Sequence, residues 1–316
     1  MNRCLIAAVL CLTAASAAGA IPDAPKGLVD WPMPYAGAFP AVSAAGLLDK
    51  PAGVNGPVVA RDGHFYTGQK RIRFWGVNIA FGGCFPTHAA ADAVAKRLAT
   101  FGINAVRLHH MDNQVFPNGI WADKTFEKLS PQALDRLDYF IAALAKQGIY
   151  SDINLHVSRE WSRSHHWPNA AQLPDGYDKL IDLFYPDLIA ANKQYAKDLL
   201  GHVNAYSKTR YADDPAVCIV EINNEDTLFM WGAEEKLSHL PEPYAGVLNG
   251  LWNQWLVNKY STQAKLQAAW RTGESPLGKN VMPELFHVDA DKFKSVPADW
   301  KIQVQGKTRM TGTGIK

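Results

Sequence analysis

Apolar residues recur along this chain in two alternating rhythms. Short runs rich in β-branched and aromatic residues, Arg71–Ile79, Asn104–His109, Ile149–Val157 and Ala216–Ile222, read as buried strands. Longer segments between them carry apolar residues at helical spacing. Ala89–Phe101 puts Val94, Leu98 and Phe101 on one face and stops at Gly102. Ser130-Pro131 opens a second helix, with serine as N-cap and proline in the first turn. It carries Leu134, Leu137, Ile141 and Leu144 and stops at Gly148. Leu188–Val203 predicts a third helix, and Val247, Leu251, Trp252 and Trp255 mark a fourth. Strands alternating with helices of this length imply a parallel sheet with right-handed crossovers, here four βα units. Before them, Val58–Arg61 and His64–Tyr66 flank an Asp62-Gly63 turn and predict a small hairpin, followed by a second turn at Thr67-Gly68.

The strand ends carry residues that a buried strand does not need. Trp75, Gly76 and Asn78 belong to the first, and Arg107, His109, His110 and Asp112 to the second. Asn154 and His156 belong to the third, and Asn224 and Glu225 to the fourth. One polar strand end is ordinary, and each of these residues has a purely structural reading: Arg107 as a buried ion-pair partner, His156 as a satisfied core histidine, the last pair as a helix cap. Repetition at successive strands instead predicts one polar rim, which is where α/β barrels place their chemistry. A carboxylic acid beside an amide at such a rim suits sugar chemistry, the acid protonating a glycosidic oxygen and the amide holding a hydroxyl.

These residues resemble the retaining glycoside hydrolases with (β/α)8 barrels, especially the cellulase-like family 5 group. The resemblance runs from about Asp62 to Trp270. It rests on the hairpin, on Phe74-Trp75-Gly76-Val77-Asn78, on Gly102-Ile103-Asn104-Ala105-Val106-Arg107, on Asn154-Leu155-His156, and on Asn224-Glu225. It implies an α/β fold of TIM-barrel type and hydrolysis of β-linked glycans with retention. Glu225 then corresponds to the general acid/base, and Asn224 to the residue on the 2-hydroxyl of the reacting sugar. Arg107 corresponds to the support of the nucleophile and His156 to a wall of the reacting subsite; His109, His110 and Asn78, by their place at the strand ends, are read as further substrate contacts. Asp226 stands where the family usually has proline, and His109-His110-Met111-Asp112 departs from the usual cellulase strand end.

A retaining hydrolase needs a second carboxylate about 5 Å from the first, which the resemblance assigns to a glutamate at the end of a seventh strand. The four readable units end by Trp270, and Glu274 and Glu284 lie among Pro and Gly. The expectation is therefore a chain holding the N-terminal part of a barrel as an open sheet, inactive by itself. A non-catalytic carbohydrate-binding remnant is the alternative.

The N-terminus changes the setting. Arg3, the apolar run Leu5–Leu12 and the small residues Ala18-Gly19-Ala20 predict a secretory signal over 1–20, cut after Ala20. The expected location is secreted or periplasmic, without membrane insertion after cleavage. An extended leader, 21–56, precedes the barrel part, 57–270, and an irregular tail, 271–316. Removing Arg3 from the 32 Lys and Arg leaves 31 against 30 Asp and Glu, a balance that gives no reason to expect nucleic acid as a partner. The partner expected is a poly- or oligosaccharide. Of the four cysteines, Cys84 and Cys218 lie past the signal and suggest neither a disulfide framework nor a metal knuckle. No cofactor is expected. A metal set of His109, His110, Asp112, His156 and Glu225 is the minor alternative, without any tight ligand spacing to support it. Trp161 and Trp231, in the loops after the third and fourth strands, are candidate platforms for pyranose rings, or simply pack those loops.

Overall fold

The computed structural model describes residues 43–159, 167–173, 178–228, 236–237 and 239–271. The segment expected to be a signal, Trp161, Trp231 and residues 272–316 of the tail lie outside them. Two sheets form. In the first, β1 (Val58–Arg61), β2 (His64–Thr67) and β3 (Lys70–Ile72) pair antiparallel. The β1–β2 loop is the Asp62-Gly63 pair, both at positive φ (51° and 73°), as a tight right-twisted hairpin requires.

The second sheet is parallel, in the order β4 (Gly76–Ala80), β5 (Ala105–His109), β6 (Tyr150–His156) and β7 (Val217–Asn223). Helix α1 (His88–Thr100) joins β4 to β5, and α2 (Pro131–Lys146) joins β5 to β6. The short α3 (Asp178–Ile181) and α4 (Pro186–Leu200) lie between β6 and β7, and α5 (Tyr244–Tyr260) and α6 (Gln263–Arg271) follow. Thr87 and Ser130 cap α1 and α2, each side-chain oxygen accepting from the N–H three residues on, Ala90 and Ala133, at 3.3 Å. Among the described residues no helix is long and apolar enough to cross a membrane.

Three expectations are corrected here. The run Arg71–Ile79 is two strands, not one. Asn104 makes the break: its Oδ1 accepts from Trp75 N at 2.6 Å and its Nδ2 donates to Arg73 O at 2.8 Å. Trp75 and Gly76 consequently stand at the N-terminal end of β4, opposite the rim, and Trp75 is 69% exposed. On α1 the deepest face is Ala91, Ala95 and Ala99; Val94 and Leu98 are partly buried, and Phe101 is exposed. Small side chains there let α1 approach its neighbours closely, so burial follows the fit rather than the size of the residue. On α2, Leu137, Ile141 and Leu144 are buried as expected and pack in one core with Val106, Leu108, Ile153 and Leu155 of β5 and β6.

The leader gains its structure from the sheet. Ala44 N donates to Thr100 O at 2.9 Å and Ala52 N to Ala145 O at 2.8 Å, and Ala52 packs with Tyr150 and Ala216 at the starts of β6 and β7. The backbone passes so close to Gly148 (φ 82°) that a Cβ there would lie 2.5 Å from Asp49 O. Segment 44–56 thus covers the N-terminal ends of the strands. On β7, Val220 and Ile222 are exposed, Ile222 by 77%.

Candidate active site

The parallel register puts Asn78, Arg107 and Asp152 side by side on β4, β5 and β6. Arg107 is the centre of the group. Its Nε donates to Glu221 Oε2 and its second terminal nitrogen to Glu221 Oε1, both at 2.6 Å, the bidentate geometry that suits guanidinium and carboxylate. The same nitrogen donates to Asn224 Oδ1 at 2.8 Å, and the other reaches Asn78 Oδ1 at 3.5 Å. Arg107 therefore joins residues from three strands of the sheet. With the acceptor end of Asn224 held by Arg107, its amide N–H groups are left for a ligand. Glu225 follows immediately, exposed and at φ 48°, a left-handed backbone that glutamate adopts only when its surroundings enforce it. Asn224 N donates to His156 O at 3.0 Å, and Lys179 Nζ donates to Asn224 O at 3.1 Å, so this strand end is tied on both sides.

Glu221 and Asp152 complete the site without having been singled out by sequence. The signal was present in both cases, as the one carboxylate inside a strand, which burial penalises unless it has a partner. Asp152 is half-buried, and burial first, then the charge of Glu221, push its carboxyl up to about 6, against the pull of Arg107. A carboxyl held above its unfolded value stabilises the fold only while protonated. Its contribution is complete below the unfolded value of 3.8 and is lost as pH rises through 6. Asp152→Asn is therefore expected to exceed the wild type in stability by about 1–2 kcal/mol above pH 6, allowing for solvent screening, and to match it near pH 4. Urea unfolding at both pH values measures this; equal curves at high pH would refute it.

The histidines are placed differently from expectation. His156, expected to line a subsite, is only 4% exposed. Its Nδ1 lies 3.1 Å from Asp112 Oδ2, and its Nε2 lies 2.9 Å from Asp182 Oδ2 and 3.7 Å from Asp226 Oδ2. Burial alone would lower its pKa, but Asp112 and then Asp182 push it up to about 10. Three carboxylates surround this ring. Asp112 also accepts from Val157 N at 2.9 Å and Ser158 N at 3.3 Å. For Asp112 burial acts upward and is outweighed by His156 and Arg159, so its pKa is lowered. His109, likewise expected to touch substrate, is 8% exposed and bonds Asn154 Oδ1 at 2.7 Å. These two positions are corrected for one physical reason: a strand end that meets a long folded connection is covered by it. His110 (φ 54°) is partly open, stacked on Phe81 at 4.4 Å and 3.1 Å from Ser158 Oγ. Its pKa is lowered by burial and then by His109. The minor metal alternative of five residues is not assembled: Asp112 meets His156 and the His109 ring meets that of His110, but the two pairs and Glu225 do not converge on one point.

The sheet and its rim define a barrel-type α/β protein whose polar groups gather at the C-terminal ends of parallel strands. The cellulase family, glycosyl hydrolase family 5, matches residues 67–255, more than half of the chain, and the chain belongs to that family. Its four βα units are the first four of a TIM-type (β/α)8 barrel. Among solved structures, an endo-1,4-beta-mannanase from Rhizomucor miehei is similar at 20% identity, over 65% of this chain and 58% of that one, with a TM-score of 0.47. A glycoside hydrolase family 5 mannosidase from the same organism gives 14% identity, 64% and 53% coverage and a TM-score of 0.44. An endo-beta-1,4-mannanase from Thermotoga petrophila gives 18% identity, 60% and 41% coverage and a TM-score of 0.38. The chain spans 58% or less of the length of these structures. No curated protein sequence matches it.

Proposed function

We propose that this chain is the N-terminal part of an exported hydrolase that cleaves β-linked glycans with retention of configuration, and that Glu225 is its general acid/base. The observation that carries this reading is the Arg107 network. Two charge-assisted bonds to Glu221 hold the guanidinium, and the guanidinium holds Asn224 Oδ1. A held amide beside an exposed carboxylate is what the transition state of glycoside cleavage requires: a proton for the leaving oxygen, and donors that grip a ring hydroxyl. The acid turns base in the second half of the reaction, when water attacks the glycosyl intermediate.

That intermediate needs a nucleophile. Among the described residues the parallel sheet has four strands, so the seventh-strand glutamate of the family is not among them. We infer that the 316-residue chain alone hydrolyses nothing, while the product that includes the remaining units does. The test is release of reducing ends from β-1,4-glucan and β-1,4-mannan by the chain and by the longest product of its locus. Turnover by the chain alone would place a second carboxylate within it and sink the inference of inactivity. If the longer product is also inactive but retains polysaccharide in affinity electrophoresis, the second reading, a non-catalytic carbohydrate-binding remnant, takes its place.

A further inference from the structure

Below the rim, His156, Asp182 and Asp226 bring one imidazole nitrogen and two carboxylate oxygens within 4.8 Å of one another. They come from three separate segments: the end of β6, the turn after α3, and the residue after Glu225. All three side chains are buried, at 6%, 3% and 0% exposure. The grouping is not explained by hydrogen bonding. Among the described residues neither carboxylate oxygen of Asp226 has a hydrogen-bond partner, nor has Oδ1 of Asp182. His156 Nε2, although 2.9 Å from Asp182 Oδ2, lacks hydrogen-bond geometry to it. Buried carboxylate oxygens without partners are costly. A carboxylate with both oxygens unpartnered, wholly buried and facing an imidazole nitrogen points to a cation.

We propose that His156, Asp182 and Asp226 bind a divalent first-row metal ion, with Asp112 orienting the imidazole from behind. One nitrogen and two oxygens form a mixed donor set that suits Zn²⁺, with water completing the tetrahedron. The second layer is in place. Asp112 Oδ2 meets His156 Nδ1 at 3.1 Å, the carboxylate–histidine arrangement that fixes which ring nitrogen faces a metal. The ion would pin Asp226, and through it the left-handed backbone of Glu225, to β6 and to the turn after α3. This site would stand whether or not Glu225 is the acid/base, because its ligands do not include that residue.

The test is equilibrium dialysis of the 316-residue chain against Zn²⁺ after chelator treatment, with thermal unfolding followed in parallel. One equivalent bound is expected, with a raised Tm. Asp182→Asn and Asp226→Asn, which keep side-chain size and remove charge, are each expected to weaken binding by at least about tenfold. Absence of binding in the wild type, or binding unchanged in both variants, would overturn the proposal. If a variant does not fold, X-ray absorption of the zinc-loaded wild type decides. A shell of one imidazole and oxygens supports the site, whereas sulfur or two imidazoles would place the ion elsewhere and refute it.

Discussion

Glu225→Gln in the full-length product is expected to lower kcat by about 10²- to 10⁴-fold with little change in polysaccharide binding. Glutamine keeps the size and the exposed position of the side chain but has no proton to give. Leaving-group departure then lacks its acid, and the attacking water lacks its base. Because both halves of a retaining reaction use the same group, an activated substrate with a good leaving group should recover the first half only. A glycosyl intermediate would accumulate and appear as a burst. Steady-state rates on polysaccharide, together with the pre-steady-state burst on an aryl glycoside, measure both effects. Unchanged turnover would remove Glu225 from the mechanism and leave the exposed carboxylate as a strand-end cap.

Arg107→Met is expected to destabilise the fold by about 2–4 kcal/mol at neutral pH. The range sits below that for fully buried pairs because the Arg107 and Glu221 side chains retain 28% and 25% exposure. Without the guanidinium, Glu221 faces Asp152 with no cation between them, and Asn224 loses the bond that holds its Oδ1. The deficit should shrink as pH falls toward 6, because without the pull of Arg107 the Asp152 carboxyl of the variant takes up its proton at a higher pH than that of the wild type, and the repulsion disappears. Pairing the change with Glu221→Leu should return part of the loss, since the double variant leaves no orphan charge. Urea unfolding of the two single variants and the double variant provides the cycle. A double variant as unstable as the sum of its parts would show that the ion pair is not the source of the effect.

Both substitutions act on residues that are easy to notice in the sequence and hard to connect there. Arg107 is a charge in a β-branched run, and Glu225 ends one, so each stands out against its neighbours. Glu221 and Asp152 carried the same mark, yet they were absorbed into the strands that contain them. A lone acid in an apolar run shows that a partner exists without showing which. The partner of Glu221 is 114 positions away, and only the parallel register of β5, β6 and β7 brings the two into contact.

The histidines failed for a related reason. Strand-end position predicted a rim, and His109 and His156 are at strand ends, but exposure depends on what the following connection lays over them. His156 meets Asp182, which belongs to the long connection between β6 and β7, and no spacing rule relates the two. The break between β3 and β4 is similar: Asn104, some thirty residues away, supplies the amide that ends one strand and starts the next.

The sequence by itself determined the alternation of strand and helix, the cap at Ser130, the glycine stops and the identity of the polar strand ends. All of these follow from periodicity, backbone conformation and hydrogen bonding within a few residues, and local physics reads them without a partner. The tertiary structure alone decided which carboxylate holds Arg107, which polar strand ends stay open to a ligand, where the leader rests, and that His156, Asp182 and Asp226 share one buried space. Those outcomes depend on pairing free energies between segments distant in the chain, and a buried charge has a definite energy only once its neighbours are in place.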